Sequence, residues 1–240
     1  MRDIVLRQIE HLVEPSRLWV SWQSPDASGA SRRRHVVAEI TKEDGEPIFR
    51  YLDQTPQYQA ARREGFEGYP AFNRSKVEHR KGVLEAFVRR LPSRKRGDFS
   101  EYLEKHRLPS DFKGSDFALL GYTGAKLPGD GFELCPDLTT VDVPLETIVE
   151  VAGFWRQGVP QSELEVGDEV RFCLEPDNAA DPNAIAIYSA GRRIGYIPSP
   201  MLPMFNNWLR SANVTAHIDR LNGKPERPLV YLFVAVAPPS

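Results

Sequence analysis

Apolar residues in this sequence recur every second position in some stretches and every third or fourth in others, and the change of period predicts its elements. LWVSW at 18–22 is rich in the aromatic and β-branched residues that strands favour, and the serines, proline, aspartate and glycine of 24–31 are turn chemistry. RRRHVVAEIT at 32–41 reads as the returning strand. Asp44-Gly45 is a two-residue hairpin signal before PIFRYL, so a β-meander is expected near the N-terminus. Ahead of it, Ile4, Leu6, Ile9, Leu12 and Val13 fit either a helix face or an irregular strand. From 58 to 73 the rings of Tyr58, Phe66, Tyr69 and Phe72 stand among glycines and a proline without regular period, which predicts a loop packed down by its aromatics.

The period then lengthens. Val83, Leu84, Phe87, Val88 and Leu91 mark a helix ended by Pro92. Asp98 or Ser100 can cap a second helix over 98–106, and Ser115 or Asp116 a third over 116–124, with glycines at its end. GDGFELCP reads as a turn and a short strand. After a polar stretch at 137–144 the alternation returns in Val149 and Val151, in Val170, Phe172 and Leu174, and in Ile185 and Ile187, each set burying one sheet face. Between the last two, Pro176 and Pro182 interrupt the strand, while Asp177, Asn178, Asp181 and Asn183 can bond back to the loop's own backbone. MLPMFNNWLR suggests a short helix with Leu202, Phe205 and Leu209 inward, and 214–221 and 228–236 read as two final strands. The expected fold class is α+β, with a small β-sheet and a short helical group over 1–140 and a second, β-rich domain over 141–240.

Composition supports two globular domains: 240 residues, 41% hydrophobic and 27% charged. No run approaches the length of apolar chain that spans a bilayer, and the first residues lack a signal-peptide pattern, so a cytoplasmic protein is expected. Cys135 and Cys173 lie far apart and suggest neither a disulfide framework nor a zinc site. The net charge of −2 divides unevenly: 23 basic against 21 acidic residues up to Thr140, 8 against 12 after it. One segment stands out. From 76 to 96, eight basic residues (Lys76, Arg80, Lys81, Arg89, Arg90, Arg94, Lys95, Arg96) face Glu78 and Glu85 alone, a local charge of +6. Arg89, Arg90, Arg94, Lys95 and Arg96 form either a solvated basic face at a helix end or a phosphate-binding patch.

Two resemblances follow from specific strings. Phe87, Arg90, Leu91 and Pro92, then Tyr102 and Leu103, then 117–120 (FALL), then Gly121, Gly124 and 129–133 (GDGFE) resemble the N-terminal region of HipA-type proteins, in which a small sheet precedes a short helical group. The kinase core of that family has no counterpart: no ATP-binding lysine strand or catalytic Asp-plus-Asn pair follows. The second resemblance rests on Gly153, Gly167-Asp168, Glu175-Pro176-Asp177-Asn178, Asp181-Pro182-Asn183-Ala184-Ile185 and Ile194-Gly195-Tyr196-Ile197-Pro198, which resemble a HIRAN domain. That resemblance implies a small OB-like β-barrel, closed by the final two strands. In relatives attached to DNA-remodelling enzymes this domain recognises single-stranded DNA, above all a free 3′ end; many bacterial members stand alone.

Carried over by position, the resemblance implies nucleic-acid contacts from Asn178, Asp181 and Tyr196, with Trp155, Arg156, Arg192 and Arg193 nearby. The aromatic that stacks on a base in DNA-binding relatives is replaced by Ala180. Each residue has a plainer reading: Asn178 and Asp181 can simply hold their loop, Tyr196 and Trp155 can be buried, and the arginines can be solvated turn charges. Glu175, Asp177 and Asp181 are explained more simply as turn residues than as metal ligands. The five histidines are scattered and no nucleophile or phosphate-loop motif appears, so no enzyme, metal or cofactor is expected. The expectation is a non-catalytic nucleic-acid-binding protein; the alternative is a protein-interaction adaptor of a toxin–antitoxin or defence type that touches no nucleic acid.

Overall fold

In the computed structural model of the protein, residues 7–24 and 33–239 are described. The turn expected at 24–31 and the first residues of the 3–13 segment therefore lie largely outside the described residues. The fold is α+β with antiparallel sheets, and the chain forms two compact units. Of the described residues, one holds 13–24, 33–102 and 111–140; the other holds 141–239 together with 7–12 and 103–110.

The first unit is built on β1 (Arg17–Trp22), β2 (His35–Glu43), β3 (Glu46–Tyr51), β4 (Glu78–His79) and β5 (Phe132–Asp137), in the order β4-β3-β2-β1-β5. Asp44 and Gly45 both take positive φ, as a tight hairpin between right-twisted strands demands. The 58–73 stretch is a loop only in its second part, because α1 (Pro56–Arg63) precedes it. Thr55 Oγ1 caps that helix by accepting from the Tyr58 amide, and Pro56 occupies its first turn. The loop after it packs as its rings required. Phe49 stacks on Phe72 at 4.5 Å between centroids, and the Tyr51 hydroxyl donates to the Phe72 carbonyl while accepting from the Tyr69 amide.

The helical group follows as α2 (Val83–Val88), α3 (Phe99–Lys105) and α4 (Asp116–Thr123). Ser115 caps α4 at its start and Gly124, left-handed, at its end. Helix α2 stops three residues short of the expected Leu91; Arg90 and Leu91 bond to carbonyls three residues back, a tighter turn before Pro92.

The second unit contains β6 (Leu145–Glu150), β7 (Val170–Leu174), β8 (Ile185–Ser189), β9 (Arg192–Tyr196), α5 (Leu202–Ser211), β10 (Asn213–Lys224) and β11 (Arg227–Ala237). Among the described residues, a closed barrel is not formed by continuous ladders. There are two three-stranded sheets, β10-β11-β6 and β7-β8-β9, and their edges meet through the single bridges Ala152–Tyr196 and Glu169–His217. Gly195, at φ +146, lets the backbone at Ala152 come close; a Cβ there would lie 2.6 Å from the Ala152 oxygen. Burial follows the alternation in β6, and β8 buries Ile185 and Ile187 as expected but also Ala186 on its other face, while Leu174, expected inward, is 48% exposed at the end of β7. On α5 the buried face is Leu202, Met204, Phe205 and Trp208, with Leu209 only half-buried.

Two segments distant in sequence complete this unit. Ile9 is buried and its amide donates to the Arg107 carbonyl at 2.7 Å. Glu146 accepts from the amides of Glu10 and His11 and from His11 Nδ1 at 2.7 Å. Leu103 and Leu108 are buried, and Arg107 Nε donates to Asp219 Oδ1 at 2.7 Å, an ion pair almost shut off from solvent. Asp219 occupies a bulge between Ile218 and Arg220, which turns its carboxylate toward this arginine.

Candidate functional site

The loop between β7 and β8 is held by its own side chains. Asn178 Oδ1 accepts from the amides of Ala180 and Asp181, Asp181 Oδ1 accepts from the Asn183 amide at 2.9 Å, and Asn206 Nδ2 donates to the Asn183 carbonyl. Pro176 and Pro182 bracket these turns, so the loop is stiff without an apolar core of its own.

Against this loop stands a polar cluster centred on Glu175. Its Oε2 accepts from Asn178 Nδ2 at 2.8 Å and from the Tyr196 hydroxyl at 3.2 Å, and its Oε1 accepts from Arg193 Nη1 at 3.2 Å. These donors, Asn178 foremost, hold the Glu175 carboxyl below the usual range. Burial pushes the Tyr196 phenol up, so it stays a neutral donor at physiological pH. The Arg193 guanidinium lies 5.2 Å from the Tyr196 ring centroid and also donates to Gln157 Oε1 at 3.0 Å. Gln157 in turn donates to the Gly153 carbonyl, which ties in the short 3₁₀ turn of Phe154–Arg156. On that turn Phe154 is the buried ring, while Trp155 is 41% exposed with the Arg156 guanidinium 4.8 Å above it.

Asn178, Arg193 and Tyr196 are thus brought onto one carboxylate, and Trp155 and Arg156 onto the turn that Gln157 links to it. Asp181 spends one oxygen on its loop. Arg192 is directed elsewhere, to Glu163 Oε2 at 2.5 Å. Sequence reasoning missed two members: Glu175, weighed as a turn residue against a metal ligand and given no place in the site, and Gln157, which carries no signal beyond its place after Arg156.

Four of the eight basic residues of the 76–96 segment in the other unit are paired, mainly with acids from outside it. Arg90, expected in a phosphate-binding patch, is buried: it pairs with Asp130 and donates to the carbonyls of Ala125 and Phe132. Arg94 pairs with Asp116, Arg96 with Asp98, and Arg80 with Glu78 and Glu43. Arg89 and Lys95 are exposed with no side-chain partner among the described residues. No group of three metal-ligating side chains occurs among the described residues, and no helix there is long and apolar enough to cross a membrane.

Residues 145–233 match the family model of the HIRAN domain. Among solved structures, the HIRAN domain of human HLTF is similar at 17% identity over 38% of this chain and 74% of that one, with a TM-score of 0.30. A protein from Lactobacillus plantarum is similar at 20% identity over 39% of this chain and 95% of that one, with a TM-score of 0.29. No curated protein matches the sequence. The similarity to the HIRAN domain is thus confined to residues 145–233 of the second unit, and the Glu175 cluster lies inside them.

Proposed function

We propose that this protein binds nucleic acid through its HIRAN domain, that the preferred form is single-stranded DNA or a strand end, and that it does so without catalysing a reaction. The observation that carries the reading is the convergence of Asn178, Arg193 and Tyr196 on Glu175, beside an exposed Trp155–Arg156 pair, within the residues that match the HIRAN model. Arg193 and Arg156 offer cationic donors to phosphate, Trp155 and Tyr196 offer ring faces to bases, and the Glu175 carboxylate accepts from a sugar hydroxyl. Trp155 takes over the stacking that Ala180 cannot supply. In the other unit, which is read as HipA-like without the kinase, Arg89 and Lys95 remain for non-specific phosphate contact. The protein works in the cytoplasm.

Fluorescence anisotropy with single-stranded oligonucleotides bearing free or blocked 3′ ends tests this. Tighter binding of the free end, and its loss in Arg193→Ala, is expected. Equal and negligible binding of every oligonucleotide would favour the adaptor instead.

A further inference from the structure

Strand β7 is the outer strand of the sheet β7-β8-β9. The Glu175 amide donates to the Ala184 carbonyl at 2.9 Å, in register with the β7–β8 pairing. Residues alternate along an antiparallel strand, so Arg171 and Cys173 also turn their backbone groups to β8, and Phe172 and Leu174 turn theirs outward. On that outer side the bridge Glu169–His217 stands alone, and beyond it β7 has no strand partner among the described residues. The open edge is not protected by a proline or a lysine, as such edges commonly are. Leu174 at its end is 48% exposed, Cys173 is an exposed free thiol, and Arg171 is exposed with no partner among the described residues.

We propose that a second copy of this chain pairs antiparallel with this edge, on a two-fold axis passing through Cys173. The register follows from the backbone. Outward groups must meet outward groups, so Phe172 faces Leu174 of the second copy and exchanges both bonds with it. Moving the axis one residue toward the C-terminus brings in Pro176, which has no N–H; moving it one residue toward the N-terminus brings in Val170, beside the occupied Glu169–His217 bridge. In the remaining register the side chains are complementary. The exposed Leu174 covers Phe172, and the unpartnered Arg171 cation lies opposite Glu175. That carboxylate has about four acceptor sites, and Asn178, Tyr196 and Arg193 take three of them. Cys173 meets Cys173 in a non-hydrogen-bonded pair, where Cα atoms approach to about 4.5 Å. The interface is isologous, as a two-fold dimer requires, and the Arg171 of each copy reaches the polar cluster of the other.

Sedimentation velocity on the full chain without nucleic acid, with cross-linking by a short bismaleimide, is the test. A concentration-dependent dimer is expected, trapped covalently through Cys173 and not in Cys173→Ser; Cys135 is buried and does not react. Arg171→Glu sets like charges opposite each other, and Leu174→Pro removes an outward N–H while sparing the bonds to β8. Each should weaken the dimer by about tenfold or more, with the circular dichroism spectrum unchanged. If either variant misfolds, cross-linking of the wild-type chain decides. A monomer at every concentration, or a dimer that Cys173 does not trap, overturns the proposal.

Discussion

At the scale of single residues, two arginines that look alike in the sequence have opposite roles. Arg90→Ala strands Asp130 and two carbonyls in the buried wall of the first unit, and a cost of about 3 kcal/mol is expected in denaturant unfolding. Arg89→Ala should leave stability within about 0.5 kcal/mol and reduce the salt dependence of oligonucleotide binding instead. Trp155→Ala should weaken single-strand binding by about 1–3 kcal/mol in anisotropy titrations, the worth of one stacked base. Glu175 sets a pH limit. Its carboxyl is held below the ordinary value of 4.5, so the ordering of its loop is fully present above 4.5 and lost as pH falls through the lower folded value. The side-chain amide resonances of Asn178 should report that loss.

At the scale of elements, much of the fold was legible because period and turn chemistry agreed. The Asp44-Gly45 hairpin, the Ser115 cap and Gly124 stop of α4, and the alternation of β6 all follow from residues read in place. Helix α1 was not legible, since Tyr58 and Ala61 alone bury its face and leave no period to detect. Nor was the fate of the 76–96 charge, because its counter-ions Glu43, Asp98, Asp116 and Asp130 lie outside that window in sequence. For the site, the loop and Tyr196 were visible in their strings, but the hub at Glu175 depends on a cross-strand register that spacing does not give. That register rests on Gly195. In Gly195→Ala the new Cβ would sit 2.5 Å from Val151 Cγ1 and 2.6 Å from the Ala152 oxygen. The Ala152–Tyr196 bridge should open at a cost of about 2 kcal/mol or more, seen as faster hydrogen exchange at both amides.

At the scale of the whole molecule, the second unit borrows from sequence far outside the 145–233 match. A fragment of 141–240 lacks Ile9, Leu103 and Leu108, each worth about 1.5–3 kcal/mol of burial. It also leaves the Asp219 carboxylate without Arg107. The fragment should unfold at lower denaturant than the same unit within the full chain, as followed by circular dichroism. The His11–Glu146 contact adds a pH sense of the opposite sign to Glu175. The bond to Glu146 raises the His11 pKa above 6.5, so this tether is complete below that value and loosens as pH rises through the folded one. The borrowed segments also impose a schedule on synthesis. Ile9 leaves the ribosome first, yet its neighbour's partner Glu146 arrives 136 residues later and the last strand of the unit later still. The first unit can fold while Ile9 and Leu108 wait uncovered, so the nascent chain carries a sticky interval that ends only when β11 emerges, and a chaperone that shields apolar segments should find its target there.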